Sequence, residues 1–124
     1  MSISPESRTL TEDILARAVE DWVTPADVIS VCLRSNLTNA EDSRDLAIGL
    51  VARLIATGLL VPGDITKSGH RPWDCSSAEA INRITVEWSA LQDPVMVLPG
   101  EIVWLDTSPE GEQIGEAILR RESE

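Results

Sequence analysis

The chain has 124 residues and carries 21 acidic against 10 basic side chains, a net charge of −11. That length suits one domain with its own core, and apolar and charged shares of 43% and 25% exclude wholesale disorder. The surplus of carboxylates argues against nucleic acid and anionic membrane as partners, because phosphate binding is driven by Lys and Arg releasing counterions.

Residues 1–8 read as a ragged end, and MSISPESRTL has neither the basic head nor the apolar stretch of a signal peptide. No apolar run reaches transmembrane length, so the expected location is the cytoplasm. Thr9-Leu10-Thr11-Glu12 has the form of a capping box, and Leu10, Ile14, Leu15, Ala18 and Trp22 follow at helical spacing. A second helix is predicted from Thr24 as N-cap, Pro25 as first helical residue and Asp27 in the first turn. It carries Val28, Ile29, Cys32 and Leu33 and stops near Ser35-Asn36. A third helix starts at Thr38 or Asn39 and runs through Leu46, Ala47, Leu50, Val51, Leu54 and Ile55 to Gly58, well placed as its cap.

Beyond Gly58 the pattern changes. Leu59-Leu60-Val61 reads as a short strand ended by a Pro62-Gly63 turn, with Asp64-Ile65-Thr66 returning as a second before Ser68-Gly69. Ser76 and Glu79 open a fourth helix whose inner face is Ile81, Ile84, Trp88 and Leu91. Pro94 and Pro99-Gly100 bound an irregular Val95-Met96-Val97-Leu98, and Ile102-Val103-Trp104-Leu105 reads as a buried strand. Ser108-Pro109-Glu110 opens a last helix with Ile114, Ala117, Ile118 and Arg121 on one side, fraying over 120–124. The expected architecture is a single α+β domain over 1–124, with about five helices and a two- or three-stranded antiparallel sheet.

Three helices, a strand, a gap and another strand follow the order of a winged helix-turn-helix domain. The run Leu54-Ile55-Ala56-Thr57-Gly58-Leu59-Leu60-Val61-Pro62-Gly63-Asp64 resembles the end of a recognition helix leading into the first wing strand of bacterial winged-helix regulators. Trp104-Leu105-Asp106-Thr107-Ser108-Pro109-Glu110-Gly111 is similar to the segment where the second wing strand of MarR-like regulators passes into a helix. The resemblance implies a winged-helix-like frame with 66–99 as an elaboration between wing strands. It also implies DNA binding, but Ala40-Glu41-Asp42-Ser43-Arg44-Asp45 is net acidic where a reading helix presents Arg, Lys, Asn or Gln. A second pattern, GDIT…HRPW…EAINRITVEWSAL…PGEIVWLDTSPEG, resembles small acidic bacterial proteins, among them immunity proteins of contact-dependent growth inhibition and related polymorphic toxin systems. That likeness implies a cytoplasmic inhibitor covering the basic cleft of a nuclease toxin, and it transfers no site residue.

Candidate chemistry is sparse. His70 is the only histidine, with no second His or Cys at ligand spacing, and as a base it would have only Ser68 or Ser76 to activate. It reads as an exposed loop residue. Neighbours in Glu12/Asp13, Glu20/Asp21 and Glu41/Asp42 point about 100° apart on a helix and do not converge, so they read as solvated or helix-start acids. The glycines match no phosphate loop, and Cys32 and Cys75 match no zinc motif and read as reduced thiols, Cys32 in the core. Of the four Trp, Trp22, Trp88 and Trp104 read as core and Trp73 as partly exposed. No catalytic residue, metal, cofactor or small-molecule substrate is therefore expected.

What remains is binding to a basic protein, most plausibly a toxin domain, through acidic surface. The candidates are Glu41, Asp42 and Asp45 at the third helix, and Glu101, Asp106, Glu110, Glu112 and Glu116 around the last strand and helix. In a winged-helix frame parts of these two groups would share one face. His70, Arg71 and Trp73 form a further candidate contact. The rival readings are a winged-helix transcriptional regulator and an acidic adaptor or structural subunit.

Overall fold

Capping chemistry written into the sequence fixes where the helices begin. In the computed structural model, which describes residues 7–37 and 39–123, α1 spans Leu10–Glu20. The Thr9 hydroxyl accepts the Glu12 N–H at 3.1 Å, and the Glu12 carboxylate accepts the Thr9 N–H at 2.9 Å. Helix α2, Pro25–Cys32, begins where the Asp27 carboxylate accepts the Thr24 N–H at 2.8 Å. A 3₁₀ turn over Leu33–Ser35 carries it to Asn36, whose φ of 55° ends the helical path. Helix α3, Ala40–Ala56, is capped by Asn39, and the alternative start at Thr38 lies outside the described residues. At its far end Gly58 takes φ +76° and donates to the Ile55 carbonyl while Leu59 donates to Leu54, a Schellman motif.

The sheet departs from the sequence reading. Pro62-Gly63 is not a turn: strand β1 runs unbroken over Leu60–Thr66, and the turn comes at Lys67-Ser68. Proline and glycine are tolerated because the strand changes partners at that point. Residues 60–63 pair antiparallel with β3, Trp104–Thr107, and residues 63–66 pair with β2, Gly69–Pro72. The Pro62 carbonyl meanwhile accepts the Trp73 N–H at 3.0 Å, just past the end of β2. The sheet order is β2-β1-β3, and Val23 bridges the outer edge of β3 through Leu105. The strand expected over 102–105 thus begins at Trp104, and the elaboration between β1 and β3 holds a strand as well as α4, Ser77–Ser89.

Helix α5, Pro109–Ser123, packs on α1 with a face that keeps Ile118 of the predicted one but not Ile114 or Ala117. Gly111, Gly115 and Ile118 are buried, whereas Ile114 and Ala117 are exposed. Two glycines one turn apart let the helix backbone approach closely: a Cβ on Gly115 would lie 2.7 Å from the Leu15 carbonyl oxygen, and one on Gly111 would overlap that of Leu59. The core is aliphatic around one fully buried Trp88, with Ile14, Val28, Val51, Leu54, Leu60, Ile84 and Leu105 closed from solvent. Leu50 and Ile81 pack at its edge, half-buried.

Of the ends expected to fray, Arg8 and the last turn of α5 are joined by ion pairs, and residues 1–6 and 124 lie outside the described part. Arg8 forms a bidentate ion pair with Glu122, and Arg121 pairs with Glu12 at 2.8 Å. Asp13, buried at the centre, accepts from Arg8, Arg17 and Arg34 at 2.9, 3.2 and 2.6 Å. Burial pushes its carboxyl up, but the three guanidiniums outweigh this and hold it below the usual aspartate range. Among the described residues no helix is long and apolar enough to cross a membrane.

Candidate protein-binding surface

Two turns rigidify the irregular segment between α4 and β3. In the first, Pro94 sits second and Met96 donates to the Asp93 carbonyl at 3.4 Å, while the Asp93 carboxylate accepts the Val95 N–H. In the second, Leu98-Pro99-Gly100-Glu101, the Glu101 N–H reaches the Leu98 carbonyl at 3.0 Å and Gly100 supplies φ +85°, as a type II turn requires. The Glu101 carboxylate locks it by accepting the Leu98 N–H at 2.8 Å. Ile102 then takes φ 74°, rare for a β-branched residue, and Val103 donates back to the Glu101 carbonyl at 2.9 Å. Burial of Val103 and Leu105 holds that strained bend in place.

The consequence is a fixed display. Val97 anchors the segment in the core, while Met96 and Leu98 on either side of it are 67% and 63% exposed. Open grooves flank them. Pro94 borders one with Asn39, Ala40 and Glu41; Pro99 borders the other, of about 250 Å³, with Trp22, Trp104, Asp21 and Asp27. Large apolar side chains held out from the fold and edged by carboxylates are the arrangement of a protein-binding patch with a charged rim.

Of the acids singled out from sequence, Glu41, Asp42 and Asp45 are exposed at the start of α3, where Asp45 pairs with Arg44. Glu101 lies in the second turn, and the half-buried Asp106 of β3 turns one oxygen to the Thr107 N–H. Glu110, Glu112 and Glu116 are exposed on α5, whose start abuts Leu59 beyond the far end of α3. The first turn of α3 and the start of α5 thus lie at opposite ends of the 17-residue α3, a helix about 25 Å long.

His70 is no loop histidine. It is a half-buried residue of β2, with Nε2 2.9 Å from the Trp104 carbonyl oxygen and its ring centroid 6.4 Å from that of Trp22. Gly63 makes the room, because a Cβ there would stand 2.6 Å from the imidazole. Arg71 is exposed beside it, and Trp73 is half-buried with the Arg83 guanidinium 3.8 Å above its ring. Trp22 falls beyond the end of α1 rather than on its face and, like Trp104, is half-buried in the groove beside Pro99. Met96, Leu98 and this Trp pair escaped the sequence reading. The available signal was an apolar tetrad closed at both ends by turn-forming prolines.

Among the described residues no three His, Cys, Asp or Glu side chains are grouped to hold a metal ion. Cys32 is closed off in the core with its thiol pushed up to about 11 by burial, while Cys75 is exposed. Compared with protein-family models, curated proteins and solved structures, the chain matches none.

Proposed function

We propose that this protein is an inhibitor that acts by binding a basic protein, in the manner of a cytoplasmic immunity protein that neutralises a nuclease toxin. One observation carries the reading: Met96 and Leu98 stand about two-thirds exposed on locked turns, whose prolines line grooves edged by Glu41, Asp21 and Asp27, in a chain of net charge −11. Burial of such apolar side chains supplies affinity, and the carboxylate rim steers a cationic partner and rejects acidic ones. Because the turns are preorganised, little loop entropy is lost on binding.

Winged-helix DNA binding is the second reading, favoured by a β1–β2 hairpin directly after α3 with exposed Lys67 and Arg71 on it. Against it stand the exposed Glu41, Asp42 and Asp45 at the start of α3. One experiment separates the two. The purified protein is titrated with a panel of basic nuclease toxin domains and, separately, with duplex DNA at low salt. Binding of one toxin domain, weakened at least tenfold by Leu98→Asp while the fold and melting temperature of that variant stay unchanged, supports the inhibitor. DNA binding without any basic protein partner replaces it with the regulator.

A further inference from the structure

The groove beside Pro99 has the makings of a site for a single cationic side chain. Trp22 and Trp104 meet edge to face, with ring centroids 6.4 Å apart and planes at 80°, and both are half-buried where they line the groove. Gly100 supports Trp104 from behind: a Cβ at that glycine would come within 2.9 Å of the indole, so its backbone lies directly on the ring. His70 tilts against Trp22 at 37° and holds that ring from the sheet side. The polar side chains facing the groove are Arg17, Asp21, Thr24 and Asp27. Arg17 is engaged by Asp13 at 3.2 Å. Asp27 directs a single oxygen, Oδ2, to both the Thr24 N–H and hydroxyl, which leaves Oδ1 without a hydrogen bond. Asp21 is exposed and gives one oxygen to the Trp22 N–H.

We infer that this groove binds an arginine side chain of the partner protein. An indole face attracts a cation through its quadrupole, and a flat guanidinium stacks on the ring while its forked N–H groups reach carboxylates at the edge. Two aromatic faces at a steep angle with carboxylates at the rim match that geometry better than the compact, strongly hydrated ammonium of lysine. The inference rests on the basic-partner reading and deepens it, because Pro99, which follows the exposed Leu98 in the chain, lines the groove, so the site would take a charged residue near the apolar contact.

The test uses the full chain and needs no partner. Four tryptophans give four indole N–H resonances, and N-acetyl-arginine methylamide is titrated against them. Its neutral isostere N-acetyl-citrulline methylamide and the lysine analogue run in parallel. Saturable shifts of Trp22 and Trp104 in the millimolar range are expected, with Trp73 and Trp88 unmoved. Citrulline should bind at least tenfold more weakly, and lysine severalfold more weakly. Asp21→Asn, which keeps an acceptor for the Trp22 backbone N–H, should weaken arginine binding severalfold, and Trp22→Leu should silence the response at Trp104. Equal binding of citrulline, unsaturable drift of all four signals, or no response at Trp22 and Trp104 overturns the proposal. Failure of the basic-partner reading registers elsewhere, as DNA binding without a protein partner. A basic partner lost on Leu98→Asp yet indifferent to Asp21→Asn and Trp22→Leu overturns the arginine site alone.

Discussion

Leu50 and Leu54 lie one turn apart on α3, and the packing separates them. Leu54 is 1% exposed, whereas Leu50 is half-buried at the core's edge. Leu54→Ala removes three carbons at about 0.8 kcal/mol each and leaves a cavity that adds further cost, for a loss of about 3 kcal/mol. With an unfolding entropy of about 2.1 cal/mol/K per residue, 124 residues give about 0.26 kcal/mol/K, so the melting temperature should fall by about 12 °C. Leu50→Ala opens no closed cavity and should cost only about 1 kcal/mol, a fall of about 4 °C. Thermal and urea unfolding of both variants, followed by circular dichroism, measures the contrast. Equal losses for the two, or an unchanged midpoint for Leu54→Ala, would refute the assignment of the α3 inner face.

Three further outcomes follow from the packing and the charges. Gly115→Ala forces a methyl against the Leu15 carbonyl and Val19, so α1 and α5 must part, costing about 2 kcal/mol; the solvent-facing Gly49→Ala, with nothing near its Cβ, should instead stabilise the protein. Glu12, Asp13 and Glu122 have carboxyls held below their usual range, Glu12 and Glu122 chiefly by hydrogen bonds from Arg121 and Arg8, and Asp13 by its three arginines against burial. The unfolded chain therefore binds protons first as pH falls, so their stabilisation is complete above about pH 5 and is lost progressively below about pH 4; Asp13→Asn should flatten that acid limb of the stability–pH curve. A thiol reagent at neutral pH should modify Cys75 at once and Cys32 only at the unfolding rate, and prompt modification of both would contradict the burial of Cys32.

The helices were legible because each start is a local chemical event. Thr9 with Glu12, Ser76 with Glu79 and Thr24 with Pro25 and Asp27 need only neighbours in sequence, and Gly58 ends α3 by its own backbone freedom. The sheet was legible only in part, because pairing depends on distant partners. Pro62-Gly63 reads as a turn until β3 and β2 are known to take opposite halves of β1. The inner face of α5 was misread for a related reason: burial there comes from glycines admitting another backbone, which hydropathy does not register. Trp22 kept helical spacing with Ile14, Leu15 and Ala18, but α1 ends at Glu20 and the indole turns into the groove. Met96 and Leu98 have the composition of a buried strand, and only the turns on either side expose them.

Charge is sorted in this molecule as well as abundant. Six of its arginines, Arg8, Arg17, Arg34, Arg44, Arg83 and Arg121, are engaged in ion pairs. Four of them, Arg8, Arg17, Arg34 and Arg121, gather where the start of α1 meets the end of α5, around Asp13, Glu12 and Glu122. Compensation is thus concentrated at one place; Asp45 and Glu87 have local partners in Arg44 and Arg83, and other acids, including Asp21, Glu41 and Asp93 near the exposed apolar segment, stand outside any ion pair among the described residues. The two populations respond to salt differently. The largely buried pairs of Arg8 with Asp13 and Glu122 are screened little, whereas the field of separated surface carboxylates decays over about 8 Å at physiological ionic strength. Added salt should therefore slow association with a cationic partner while leaving the melting temperature nearly unchanged, which separates electrostatic steering from any electrostatic contribution to the fold.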